Sequence, residues 1–222
     1  MPPTPREPLE SALLGTLAEL RRQHGEAPLE RVRAFVREVI GSAPRRVGDP
    51  LQRPELYFFP GLGDRAWPDG AAPWMPRLEA GFAAVRRELE GLIASRAEFV
   101  PYVHGDGRAY RAEKFRIAPQ SEQWTVYDLH DPSAEERCPE TAGLLRAIFR
   151  HDLGEPVTAQ FSALRPGARI APHCGAANFF LTAHLGVIVP AGCRIRVGTE
   201  SRSWVEGRGL VFNDSFEHEV RH

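Results

Sequence analysis

The sequence predicts a mainly β fold with flanking helices, its strands closing into a sandwich or barrel. Two observations carry that prediction. From about residue 115 onward the apolar residues come in short runs separated by Gly and Pro, as in short strands joined by turns. Before that point they recur at helical spacing.

The elements follow in order. Pro2, Pro3, Pro5 and Pro8 make the start a loose tail. Leu9 to His24 places Leu13, Leu14, Leu17 and Leu20 on one helical face, and Gly25 stops it. Leu29 to Ile40 repeats the pattern through Val32, Phe35, Val36, Val39 and Ile40, closed by Gly41. This helical hairpin, residues 1–45, reads as an extension that packs on the main domain or on a second copy of the chain. Ala43 to Gly70 is an irregular Pro-, Gly- and Arg-rich connection holding the apolar patch Leu56-Tyr57-Phe58-Phe59-Pro60-Gly61-Leu62. Met75 to Ala94 is the strongest helix, with Leu78, Phe82, Val85, Leu89, Leu92 and Ile93 on one face.

Gln123 to Leu129 alternates as a strand, and Pro139 to His151 returns to a helix. Strands are then expected at Val157–Leu164, Phe179–Val189, Arg194–Val197, Ser203–Val205 and Leu210–Asn213. Neither an internal repeat nor a GxGxxG or phosphate loop is present.

Bulk properties narrow the function. Lys and Arg number 28 against 29 Asp and Glu, a formal net charge of -1, so no global basic field favours nucleic acid. The cysteines, Cys138, Cys174 and Cys193, are odd in number and lack the spacing of a disulfide framework, which favours a reducing cytoplasm. No window reaches the about 18 uninterrupted apolar residues of a membrane span, and Met1 to Glu7 lacks the apolar stretch of a signal peptide. A soluble cytoplasmic protein is expected.

Chemistry concentrates in His173-Cys174-Gly175 and Ser215-Phe216-Glu217-His218-Glu219, on either side of dense β-type sequence. Two imidazoles brought together by a sheet, with coordination positions left open, describe a reactive metal centre better than a closed structural one. Between them, a strand through residues 178–189 puts Phe180, Thr182, His184 and Gly186 on one face and Leu181, Ala183, Leu185 and Val187 on the other. One side packs while the other carries polar groups, as beside a polar cavity. Gln160, Ser162 and Leu164 share a face of the preceding strand.

Four segments occur in order: 160–167 (Gln-Phe-Ser-Ala-Leu-Arg-Pro-Gly), 172–178 (Pro-His-Cys-Gly-Ala-Ala-Asn), 183–190 (Ala-His-Leu-Gly-Val-Ile-Val-Pro) and 212–220 (Phe-Asn-Asp-Ser-Phe-Glu-His-Glu-Val). With Cys138-Pro139-Glu140-Thr141 and Tyr57 to Leu62, they resemble the aspartyl/asparaginyl β-hydroxylase family over roughly residues 55 to 222. The resemblance implies a double-stranded β-helix (jelly-roll, cupin-like) domain over 46–222 that uses Fe(II), 2-oxoglutarate and O2 to hydroxylate an unactivated carbon. It assigns the metal to His173 and His218, with Gly175 where the wider superfamily has a carboxylate ligand. Asp214 matches a family aspartate expected to orient a water beside the metal, while Ser162, Thr182 and His184 match positions that hold the keto acid. Cys174 is disfavoured as a ligand, because a thiolate would be oxidised beside activated oxygen.

Two departures stand out. The family commonly has arginines where this chain has Phe180 and Thr182, which hints at a less acidic substrate. The family arginine for the far carboxylate lies about ten residues past the second histidine, whereas the sequence ends at His222. The expectation is that the sequence stops short of the strand carrying it, with Arg194 and Arg196 as substitutes otherwise. Arg165 and Arg169 are better read as solvated surface residues than as substrate contacts. The substrate implied is an aspartyl, asparaginyl or related amino acid, as a small molecule, a peptide or a carrier-bound group. The rival readings are a jelly-roll scaffold with a vestigial site, a hydroxylase of a lipid acyl chain, and a zinc hydrolase.

Overall fold

The computed structural model describes residues 6–70, 72–103, 114–118, 120–130, 132–148 and 158–222. These fall into two compact units. The first gathers the described residues of 1–68 with 174–181 and 213–217, and the second those of 69–173 with 182–212 and 218–222.

The first unit carries α1 (Arg6–His24), a short 3-10 turn (Ala27–Leu29) and α2 (Glu30–Val39). Arg21, Arg22 and His24 occupy the last turn of α1, where cations suit the negative end of the helix dipole. On α2, Phe35 packs against Tyr57 and Phe59, with ring centroids at 6.2 and 5.4 Å. Arg31 donates from Nε to the Pro60 carbonyl (2.7 Å). Arg45 pairs with Glu38 (2.6 Å) and donates to the Leu56 carbonyl (2.8 Å). The apolar patch 56–62 is thereby tied to the helical hairpin.

A buried polar network anchors residues 213–217 in the same unit. Ser215 Oγ donates to Asn213 Oδ1 (2.6 Å), Gln52 Nε2 donates to Ser215 Oγ (3.0 Å), and Asn213 Nδ2 donates to the Gly63 carbonyl (2.9 Å). Asn178 receives the Phe59 amide on Oδ1 (2.7 Å) and donates from Nδ2 to the Phe59 and Leu62 carbonyls (2.9 and 2.7 Å). Gln52, Asn178, Asn213 and Ser215 are all buried. Satisfied networks of this kind fix one backbone arrangement, since any member left unpaired would be costly. Gly63 completes it. Its φ of +58° suits glycine, and a Cβ there would meet the Asn178 carbonyl oxygen at 2.5 Å.

The second unit holds the sheets. Strands β1 (Val100–Pro101), β2 (Trp124–Asp128) and β3 (Gln160–Leu164) form one in that order. Strands β4 (Arg169–His173), β6 (Arg194–Val197), β7 (Glu200–Arg202) and β9 (His218–Arg221) form a second in the order β4-β9-β6-β7. Strands β5 (Thr182–Leu185) and β8 (Gly209–Phe212) form a third. Every pairing is antiparallel. Helices α3 (Met75–Ala80) and α4 (Phe82–Ala94) and the helices Pro132–Arg137 and Pro139–Ile148 accompany them. One core joins Val85 and Leu92 of α4 to Tyr127 of β2, Ala134, Cys138 and Phe161 of β3.

Several expectations hold and several are corrected. The helices and antiparallel sheets are present, yet the described chain is a mixture of α and β rather than mainly β. Its strands reach only 5 residues and crowd the C-terminal part, and helices fill much of the rest. The single helix expected over Met75 to Ala94 is instead two, α3 and α4, which meet at Gly81, where Leu144 packs against the glycine. Ile93 is exposed rather than in the stripe. The long strand expected through 178–189 is limited to Thr182–Leu185, and Asn178, at its expected start, instead donates from its side chain to the Phe59 and Leu62 carbonyls. Of its predicted apolar face, Leu185 and Val187 pack on the core of α4, β2 and β3, whereas Leu181 is exposed. The strand expected at Ser203–Val205 lies at Glu200–Arg202 instead. His151 and the start of the Val157 strand lie outside the described residues.

Candidate active site

The register of β4 on β9 creates the site. Ile170 pairs with Val220 and His173 with His218, so three steps along β4 match two along β9. The extra residue is a bulge at Ala171-Pro172. In a regular strand, Ile170 and His173 would face opposite ways; the bulge restores the parity and puts His173 on the face of Ile170. Pro172 suits that place, lacking an amide for the ladder, and β4 is an edge strand.

The imidazoles of His173 and His218 therefore face each other, with ring centroids 4.0 Å apart. His173 Nδ1 lies 2.7 Å from the carbonyl oxygen of bulged Ala171. A carbonyl only accepts, so Nδ1 carries the proton and Nε2 keeps the lone pair. Burial, then the neighbouring His218, lowers the His173 pKa to about 3, leaving the ring neutral at ordinary pH. A neutral His173 with a free lone pair, beside a second imidazole, fits a divalent transition metal. Among the described residues no group of three or more His, Cys, Asp or Glu side chains forms a metal cage.

Aromatic residues surround the pair. Phe115 meets His173 edge to face (4.7 Å) and meets Trp124 likewise (5.1 Å), and Tyr102 stacks on Trp124 at 3.8 Å. Trp124 Nε1 donates to Ser162 Oγ (2.9 Å) across β2 and β3. On the other side Phe212 lies 5.7 Å from His218 and 5.0 Å from His184. Burial, then His218, lowers the His184 pKa to about 4. Thr182 stands opposite Phe212 in the β5–β8 register.

The structure thus brings His173 and His218 into contact and links His184 to them through Phe212. Ser162 joins through Trp124 and Phe115. Asp214 belongs to the first unit, where a Cβ on Gly175 would come within 2.5 Å of both its carboxylate oxygens, and the Gly175 amide donates to the Asp214 carbonyl (2.6 Å). The Asp214 carboxylate fills the space a side chain at Gly175 would need. Cys174 is buried with its thiol 4.0 Å from the Leu51 carbonyl.

Arg194 and Arg196 do not serve as the carboxylate partners considered from sequence. Ile195 and Val197 alternate with them and share the buried face of His218 and Val220, which leaves the arginines on the reverse face. Arg196 there pairs with Glu219 (2.9 Å) and donates to the Gly198 carbonyl (2.7 Å). Sequence reasoning missed Phe115, Trp124 and Trp204 as neighbours of site residues. Only the alternation Trp124–Val126 hinted at a buried tryptophan.

The depressed imidazoles make acid stability a test. Below pH about 6.5 the unfolded chain takes up protons at His173 and His184, which the fold refuses until pH about 3 and about 4. The unfolded state binds more protons in that window, so stability is retained above it and lost as pH falls through it. Chemical unfolding of metal-stripped protein between pH 7 and 4 should show this decline, and a pH-independent midpoint would contradict it.

The family described as Aspartyl/Asparaginyl beta-hydroxylase matches residues 79–222. "Aspartate beta-hydroxylase domain-containing protein 2" of Xenopus tropicalis is 28% identical over 234 residues, covering 99% of this chain and 58% of that protein. "Aspartate beta-hydroxylase domain-containing protein 1" of Homo sapiens is 32% identical over 194 residues, covering 82% and 46%. "Aspartyl/asparaginyl beta-hydroxylase" of Mus musculus is 31% identical over 180 residues, covering 74% and 22%. The chain belongs to the aspartyl/asparaginyl β-hydroxylase family. It spans less than two thirds of the length of these relatives. The first alignment also takes in the N-terminal helices, which resembled nothing nameable in the sequence alone. No helix among the described residues is long and apolar enough to cross a membrane.

Proposed function

We propose that this chain is an iron(II)- and 2-oxoglutarate-dependent dioxygenase that hydroxylates the β-carbon of an aspartyl, asparaginyl or related amino-acid residue. The carrying observation is the His173–His218 pair, set directly across β4 and β9 with ring centroids 4.0 Å apart. In this reading residues 46–222 form a jelly-roll catalytic domain and 1–45 a helical extension. The exposed Leu9 and Leu14 of α1 favour self-association through that extension. Three free cysteines suit a reducing cytoplasm.

His173 and His218 would hold the metal, which when bound by the keto acid supplies activation of dioxygen. The chain's own residues prepare the place. The Ala171 carbonyl orients His173 and leaves its Nε2 for the metal. Phe115 and Phe212 flank the pair and exclude water from it. Ser162, Thr182 and His184 hold the keto acid, Ser162 taking its orientation from the Trp124 indole. Asp214, four residues before His218, orients a water molecule.

The experiment is turnover of a panel of Asp- and Asn-containing peptides and free amino acids with iron(II), 2-oxoglutarate and oxygen. The expected result is a product heavier by one oxygen atom, with matching succinate. An iron-loaded protein that converts no 2-oxoglutarate, with or without any of these substrates, would overturn the reading.

A further inference from the structure

The Trp204 indole Nε1 lies 3.3 Å from His184 Nδ1, its ring plane 25° from the imidazole plane and the centroids 5.9 Å apart. An indole N–H only donates, so His184 Nδ1 must accept, and that nitrogen carries no proton. The low His184 pKa, set by burial and then His218, keeps the ring neutral at ordinary pH. A neutral imidazole with an unprotonated Nδ1 carries its single proton on Nε2.

We propose that Trp204 locks His184 in its Nε2–H form, making it a hydrogen-bond donor to a carboxylate. Of the two nitrogens, Nδ1 is taken by the Trp204 N–H, which leaves the Nε2 proton to be donated. Without the indole N–H, either nitrogen can carry the proton, and Nε2 is a donor only part of the time. His184 belongs to β5, whereas Trp204 lies in the loop before β8, so the lock joins neighbouring segments of one unit. Trp204 is a positioning residue and does not touch the reacting atoms.

The carboxylate half rests on the keto-acid reading above, and the test separates the two. Long-range proton–nitrogen NMR of the metal-free protein, with the His184 signals assigned by loss in His184→Gln, reads the tautomer directly. The wild type should show Nε2–H alone, and Trp204→Phe, which keeps an aromatic ring but removes the donor, should show a mixture. In parallel, 2-oxoglutarate binding to the manganese-loaded protein should weaken about tenfold in Trp204→Phe, the size of one lost hydrogen bond, with manganese affinity unchanged. An Nδ1–H wild type, or the same tautomer in both proteins, would overturn the proposal. If the tautomer behaves as stated while wild type and variant alike ignore 2-oxoglutarate, the lock stands and the keto-acid reading falls.

Discussion

Replacing His218 with alanine should remove iron binding and, with it, all hydroxylation. In the proposed site the pair would supply the whole protein donor set, so losing one ring would leave a single imidazole, and water would have to fill the vacated position. Loss of a partner outside the coordination shell typically costs about 10–100-fold in metal affinity; loss of one of two ligands should exceed that range. His173→Ala should match it, because the two rings stand in register on neighbouring strands with no third candidate among the described residues. Fold damage should be small by comparison, since Val220 and Ile195 remain paired in the β9–β6 ladder. Equilibrium dialysis with iron(II) checks this, and a variant retaining wild-type affinity would contradict the assignment.

The second large effect concerns the missing carboxylate. Restoring one by Gly175→Asp looks like a route to a three-ligand site. It should instead destabilise the protein, because a Cβ at Gly175 would collide with the Asp214 carboxylate. Overpacking of this kind costs about 1–3 kcal/mol, and two carboxylates forced together repel as well. Thermal unfolding should show a lowered midpoint for Gly175→Asp and partial recovery when Asp214→Gly is added. An unchanged midpoint in the single variant would contradict the space-filling role of Asp214.

Sequence alone gave up the site residues more readily than the geometry joining them. His173, His184 and His218 stand in short segments whose order and content are specific, so they could be read one by one. That His173 faces His218 could not, because strand parity depends on the bulge at Ala171-Pro172, and a proline does not announce a bulge rather than a strand end. The Trp124–Ser162 bond joins β2 to β3 through a pairing 38 positions apart, and the His184–Trp204 bond spans 20. Contacts of such separation leave no local periodicity to detect. The packing of Leu144 against Gly81 was hidden for the same reason, since it comes from a separate helix.

The central claim is that His173 and His218 grip one ferrous ion that 2-oxoglutarate can chelate. Anaerobic addition of iron(II) and then 2-oxoglutarate tests it most directly, through the weak visible charge-transfer band of the chelate. The account predicts a band that saturates at one iron per chain in the wild type and is absent from His218→Ala. A wild-type protein that binds iron without the band, or a His218→Ala protein that keeps it, would contradict the account.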